Sequence, residues 1–248
     1  MYTNQHMIDS KRKFLVDKAK QLMELSRDPI HDLSHVERVV KNVQRIAPSF
    51  DLTTEELEAV ELAAWWHDVA RVLTKKPSFV WMACIDDMLS AVMLCLHSIR
   101  YGFWKNSGGM ATKLILSKTF GTGAVFTKLL LTKKEKVLVN ILKDSDQLDI
   151  MNIERLARVC ELSKTSKKYM WGLQCLLFYN TRESAAHMRT SIANQFLLEA
   201  IENILTWMNE HRNDPGYVNF FGEEWIENVI QKFQNLHRIL SPIVNTIE

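Results

Sequence analysis

Glycine and proline are scarce, eight and five in 248 residues, so the chain has few places to turn sharply or break a helix. Between those places apolar residues recur at three- and four-residue spacing and do not alternate. That pattern predicts an all-α chain and offers no strand for a parallel or sandwich sheet. An apolar share of 47% is ample for a sizeable core. Residues 10–25 predict a first helix, closed by Asp28-Pro29-Ile30 because proline cannot continue it. A second helix is predicted from Ser34, which has capping-box spacing with Glu37 and is followed by Val36, Val39, Val40, Val43 and Ile46 on one face. A third opens on a second capping box, Thr53 with Glu56, carries Leu57, Val60 and Ala64, and ends on Trp65-Trp66-His67-Asp68. Residues 79–101, 135–159, 169–179, 192–210 and 223–240 also read as helices, with Asn213-Asp214-Pro215-Gly216 as a turn before the last. Glycines at 108–109 and 121–123 mark 103–134 as a loop-rich insertion.

Charge and cysteine usage narrow the function classes. Lys plus Arg number 31 against 29 Asp plus Glu, a formal charge of +2, without the basic excess of a dedicated nucleic-acid binder. Cys84, Cys95, Cys160 and Cys175 form no close pair and lie in apolar helical stretches, the usual setting of buried free thiols in a reducing compartment. The N-terminus lacks an apolar run followed by a small-residue cleavage site, and the longest apolar stretch, 88–96, is well short of the ~20 residues that cross a bilayer. A cytoplasmic protein without a membrane partner is expected.

Four short segments stand out in order: HDLSHVERV at 31–39, AAWWHDVAR at 63–71, LCLHSIRYG at 94–102 and LKDSDQLD at 142–149. Adjacent His and Asp diverge by about 100° within a helix, too far to share one ion. At a helix end the backbone can turn and let His67 and Asp68 converge. An imidazole at a helix start, His35, and a carboxylate on a later helix, Asp146, would complete a mixed nitrogen and oxygen site.

These residues resemble the HD-domain superfamily of metal-dependent phosphohydrolases, whose pattern is H, then HD, then D. Here it reads His35, His67 with Asp68, and Asp146. DPIHDLSHVERV is similar to the D-x-x-H-D-x-x-H-x-x-R-V opening of a bacterial branch, and DSDQLD to its D-A-D-x-L-D. The resemblance covers about residues 25–165. It implies a helical bundle over 1–165, interrupted by the 103–134 insertion, with additional C-terminal helices at 166–248 packing on it. It also places the ligand at His35, leaving His31 to stabilise the turn, and at Asp146, leaving Asp144 and Asp149 as surface or capping carboxylates.

The implied activity is hydrolysis of a phosphate ester or anhydride of a small nucleotide by metal-activated water. No histidine lies between His67 and His97, which favours a single divalent ion: Mn, Mg, Co, Ni, Fe or Zn, with Mn or Mg preferred. Asp68 is also the candidate to orient the water, and His97 resembles a His-Ser element of the same branch, which makes it a candidate catalytic residue. Arg38 and Lys143 share a helical face with His35 and Asp146, while Arg71 and Arg100 follow His67 and His97 by four and three residues; all four are candidate phosphate contacts. Trp65 and Trp66 read as core for at least one of the two, and the stripe Phe196, Leu197, Ile201, Ile204 and Leu205 as packing, within the chain or across a homodimer. The alternative is a non-catalytic nucleotide-binding or helix-mediated interaction module with a structural metal.

Overall fold

The computed structural model describes residues 2–73, 85–119, 121–182 and 188–245. They are all-α, with twelve α-helices and no strand among the described residues. No described helix is long and apolar enough to cross a membrane. Cys84 and the first part of the helix expected over 79–101 lie outside the described residues. The chain divides into two compact units, 1–146 and 147–248.

In the first unit the helices are α1 (Tyr2–Met23), α2 (Leu33–Ile46), α3 (Thr54–Trp66), α4 (Asp86–Arg100), α5 (Gly109–Lys118), α6 (Gly123–Leu130) and most of α7 (Glu135–Ile150). Helix α3 is the centre, packed by α1, α2, α4 and α5, and its Ala59, Val60, Leu62, Ala63, Ala64 and Trp66 have no exposed surface. Its C-terminal half is almost wholly apolar, while Glu58 and Glu61 pair with Arg12 of α1. Both tryptophans of the motif are core: Trp66 Nε1 donates to the Leu15 carbonyl at 3.1 Å, and Trp65 is buried beneath the Lys20 ammonium. The Thr53–Glu56 capping box forms as predicted. Helix α2 is instead capped by Asp32, two residues before the expected Ser34: Asp32 is extended and its carboxylate accepts from the His35 backbone N–H at 3.2 Å. Ser34 donates its hydroxyl to that same carboxylate.

The 103–134 segment is helical where loops were expected. A π-helical turn (Trp104–Gly108) leads into α5 and α6. Gly108 serves close packing here: a Cβ would meet the Ser98 hydroxyl at 2.7 Å and the Phe103 carbonyl at 2.9 Å. Gly121, with φ +78°, does mark a turn, between α5 and α6.

The second unit holds the end of α7, α8 (Ile153–Thr165), α9 (Lys167–Asn180), α10 (Ser191–His211), α11 (Pro215–Phe221) and α12 (Glu223–Asn245). The helix expected over 135–159 is two, because the Asn152 side chain accepts from the backbone N–H groups of Glu154 and Arg155 and starts a new one. Helix α8 packs on α9 and α10, which is why the units part before it. Leu197, Ile201 and Ile204 of α10 are buried, and α10 packs along α12, whose Phe233, Leu236 and Leu240 are buried in turn. The Asn213–Gly216 signal is a helix start: Asp214 caps α11 and Pro215 occupies its first turn. Cys160 is a buried free thiol as read from sequence, while Cys175 is exposed.

Candidate metal centre

All four expected ligands lie in the first unit, each delivered by a distinct local device. His35 is in the first turn of α2, its backbone held by the Asp32 cap. His67 caps the C-terminus of α3, where the chain leaves the α-helix for a short 3-10 turn (Val69–Leu73). That turn is tied to α4 by the Ala70 N–H, which donates to the buried Ser90 hydroxyl at 3.0 Å. The helix end thus lets adjacent His67 and Asp68 aim at one place. Asp146 comes from α7, held against α2 by Asn42, which donates to the neighbouring Ser145 carbonyl at 2.9 Å.

The Nε2 atoms of His35 and His67 are 3.2 Å apart. Asp146 Oδ1 lies 3.5 and 3.7 Å from them, and Asp68 Oδ2 lies 3.2 and 3.7 Å from them. A circle through the two nitrogens and the Asp146 oxygen has a radius of about 2.0 Å, and one through the nitrogens and the Asp68 oxygen the same, matching metal–ligand bonds of about 2.0–2.2 Å. His35, His67 and Asp146 form a group that could hold a metal ion, and Asp68 borders the same two imidazoles.

Protonation agrees with that geometry. His67 Nδ1 donates to the Ala64 carbonyl at 2.7 Å, so the lone pair on Nε2 faces the carboxylates, each 3.7 Å away. Burial lowers the pKa of His67 and keeps the ring neutral, as a ligand must be. A nitrogen lone pair beside carboxylate oxygens is a donor set that suits a cation. The donor chemistry therefore fits a divalent cation.

Two buried cations stand behind the carboxylates. Arg71, 8% exposed, reaches Asp68 and Asp28 at 3.4 Å and Asp86 at 2.6 Å. Lys118 Nζ lies 2.9 Å from Asp146 Oδ2 and donates to Asp87 Oδ1 at 3.1 Å. Burial alone would raise both carboxyls; the charge of Arg71 instead holds Asp68 well below the usual range, and the charge of Lys118 does the same for Asp146. Burial pushes Asp87 up to about 6 against the pull of Lys118. Burial would also strip the proton from Lys118, but Asp146 and Asp87 outweigh it and hold its pKa above the lysine range.

The other sequence candidates scatter. Arg71 is buried among the three carboxylates and not at an open surface. Arg38 is half-buried on α2, one turn beyond His35, and donates to the Ser34 hydroxyl; Lys143 is half-buried on α7, one turn before Asp146. Arg100 is exposed at the end of α4, over the Tyr101 ring. His97 donates from Nδ1 to the Met93 carbonyl and packs its ring 5.1 Å from that of Trp66, and none of its described contacts is to the four ligands. His31 does stabilise the turn, its Nδ1 2.9 Å from an Asp28 carboxylate that also accepts from the Ile30 and His31 backbone N–H groups. Asp144 and Asp149, expected at the surface, are buried at 0% and 1% exposure, and Asp149 pairs with Arg155 at 2.7 Å.

Sequence reasoning missed Lys118, Asp86, Asp87 and the tie to Asp28. The available signal was Asp86-Asp87 opening a helix with no further charge until Arg100, since acidic residues at the head of so apolar a helix need cationic partners. A scan of family models and searches of curated proteins and of solved structures found no match.

Proposed function

We propose that the protein is a metal-dependent phosphohydrolase of the HD-domain kind, cleaving a phosphate ester or anhydride of a small nucleotide. The observation that carries this reading is the group His35, His67 and Asp146, which could hold a metal ion, with Asp68 beside the same two imidazoles, in the motif order of that superfamily. A bound divalent ion, Mn or Mg in preference, would supply Lewis acidity toward a phosphoryl oxygen and lower the pKa of water. The chain's residues have separate tasks. His67 stays neutral because it is buried, its bond to Ala64 fixing the tautomer, and Asp68, steadied by Arg71, orients the attacking water. Arg38 and Lys143, each one turn from a ligand, meet the phosphate, and Arg100 stands further out as a cation for the rest of the substrate.

The test is a nucleotide panel incubated with the full chain under Mn, Mg, Co, Ni, Fe and Zn in turn, assayed for phosphate and pyrophosphate. Release that disappears in His67→Ala supports the proposal. No release under any ion, or full activity in His67→Ala, refutes it.

A further inference from the structure

Behind each carboxylate ligand runs the same sequence of groups: ligand, cation, carboxylate. Asp68 is backed by Arg71, and Arg71 by Asp86; Asp146 is backed by Lys118, and Lys118 by Asp87. Asp86 and Asp87 are the first two residues of α4, so both relays end on one helical turn. We propose that Lys118, braced by Asp87, is the positioning residue for Asp146, as Arg71 braced by Asp86 is for Asp68, and that the first turn of α4 thereby sets the position of both carboxylate ligands. This inference rests on the metal reading above.

Geometry gives Lys118 that role. Its ammonium takes Oδ2 of Asp146 and leaves Oδ1 turned to the histidines, which fixes the carboxylate to one oxygen toward the ion. The side chain is 12% exposed, and both of its partners are carboxylates. Lys118 is the last residue of α5, where the helix dipole favours a cation. It comes from the segment between the HD pair and the final Asp, the part of the chain that looked like insertion from sequence. That segment therefore supplies part of the centre's support.

Two effects of removing Lys118 oppose each other. Loss of a nearby positive charge favours binding of a divalent ion, whereas loss of positioning weakens it; replacing an outer partner of a metal ligand typically costs about 10–100-fold in affinity. The sign of the change therefore separates a positioning residue from a mere neighbouring charge. The experiment titrates the full chain with Mn²⁺ by calorimetry and records the visible absorption of the Co²⁺-loaded protein, for wild type, Lys118→Met, Lys118→Arg and Asp87→Asn.

Lys118→Met is expected to bind Mn²⁺ at least 10-fold more weakly and to change the Co²⁺ bands, Lys118→Arg to recover most of both, and Asp87→Asn to shift both in the same direction by less. Mn²⁺ binding by Lys118→Met as tight as wild type or tighter, or an unchanged Co²⁺ spectrum, overturns the proposal. Should Lys118→Met fail to fold, Asp87→Asn decides by the same two readouts. If wild type binds neither ion, the metal reading itself fails, a result distinct from intact binding in the variants.

Discussion

Asp28 shows how much one carboxylate can do. It accepts from two backbone N–H groups and from His31 in the turn before α2, and it contacts the Arg71 guanidinium behind Asp68. Burial alone would raise its pKa; the bond and charge of His31, the Ile30 N–H and Arg71 together hold it well below the usual carboxylate range. A depressed pKa adds stability that is complete above the unfolded value of about 3.9 and is lost as pH falls through the folded one. Asp28→Asn is thus expected to lower stability at pH 7 by about 1–3 kcal/mol, with the gap from wild type closing below about pH 4. Chemical denaturation of both proteins from pH 7 to pH 3 checks this, and a gap that stays constant over the range contradicts it.

Helix ends and helix contacts position the centre, and each has its own cost when disturbed. The Thr53–Glu56 box starts α3, the helix that delivers His67, with Glu56 accepting from the Thr53 N–H at 2.8 Å. Thr53→Ala should cost about 1 kcal/mol. Gly108→Ala should cost more, about 1–3 kcal/mol, because the added methyl meets the Ser98 hydroxyl and the Phe103 backbone in a packed contact. Urea titrations that put Gly108→Ala level with wild type would show that the turn ahead of α5 can yield. The same glycine explains why the helical segment looked like a loop: lacking a Cβ, glycine suits both tight turns and tight packing, and sequence does not say which.

Across the molecule, all four donors belong to residues 1–146. They come from three separate helices, α2, the end of α3, and α7. An ion that binds them in the folded state alone stabilises it by mass action, about 2.7 kcal/mol at 100 times the dissociation constant. Differential scanning fluorimetry with Mn²⁺ should show a melting temperature that rises with ion concentration and returns to the apo value with a chelator. The rise should vanish in His67→Ala. A ligand-independent melting temperature in wild type would count against a folded-state metal site.

Local rules decided much of this. Apolar spacing read the all-α class and the buried face of α2, and the order of His35, His67-Asp68 and Asp146 picked out the residues that converge, because helix caps and periodicity are encoded within a few neighbours. Helix α4 marks the limit. Apolar on nearly every face, it gives periodicity nothing to choose between, and the fold buries Ser90 and Ser98 completely while leaving Leu96 at 62% and Ile99 at 58% exposure. Likewise nothing near Lys118 in sequence foretells its partners, Asp87 lying 31 residues earlier and Asp146 well downstream. Those pairings exist only once α4, α5 and α7 have packed, since a buried charge finds its partner through the fold and not along the chain. The sequence by itself determined the all-α class and singled out the residues that meet at the candidate metal centre; the tertiary structure decided which charges stand behind them, because a buried charge is paired by packing and not by sequence neighbours.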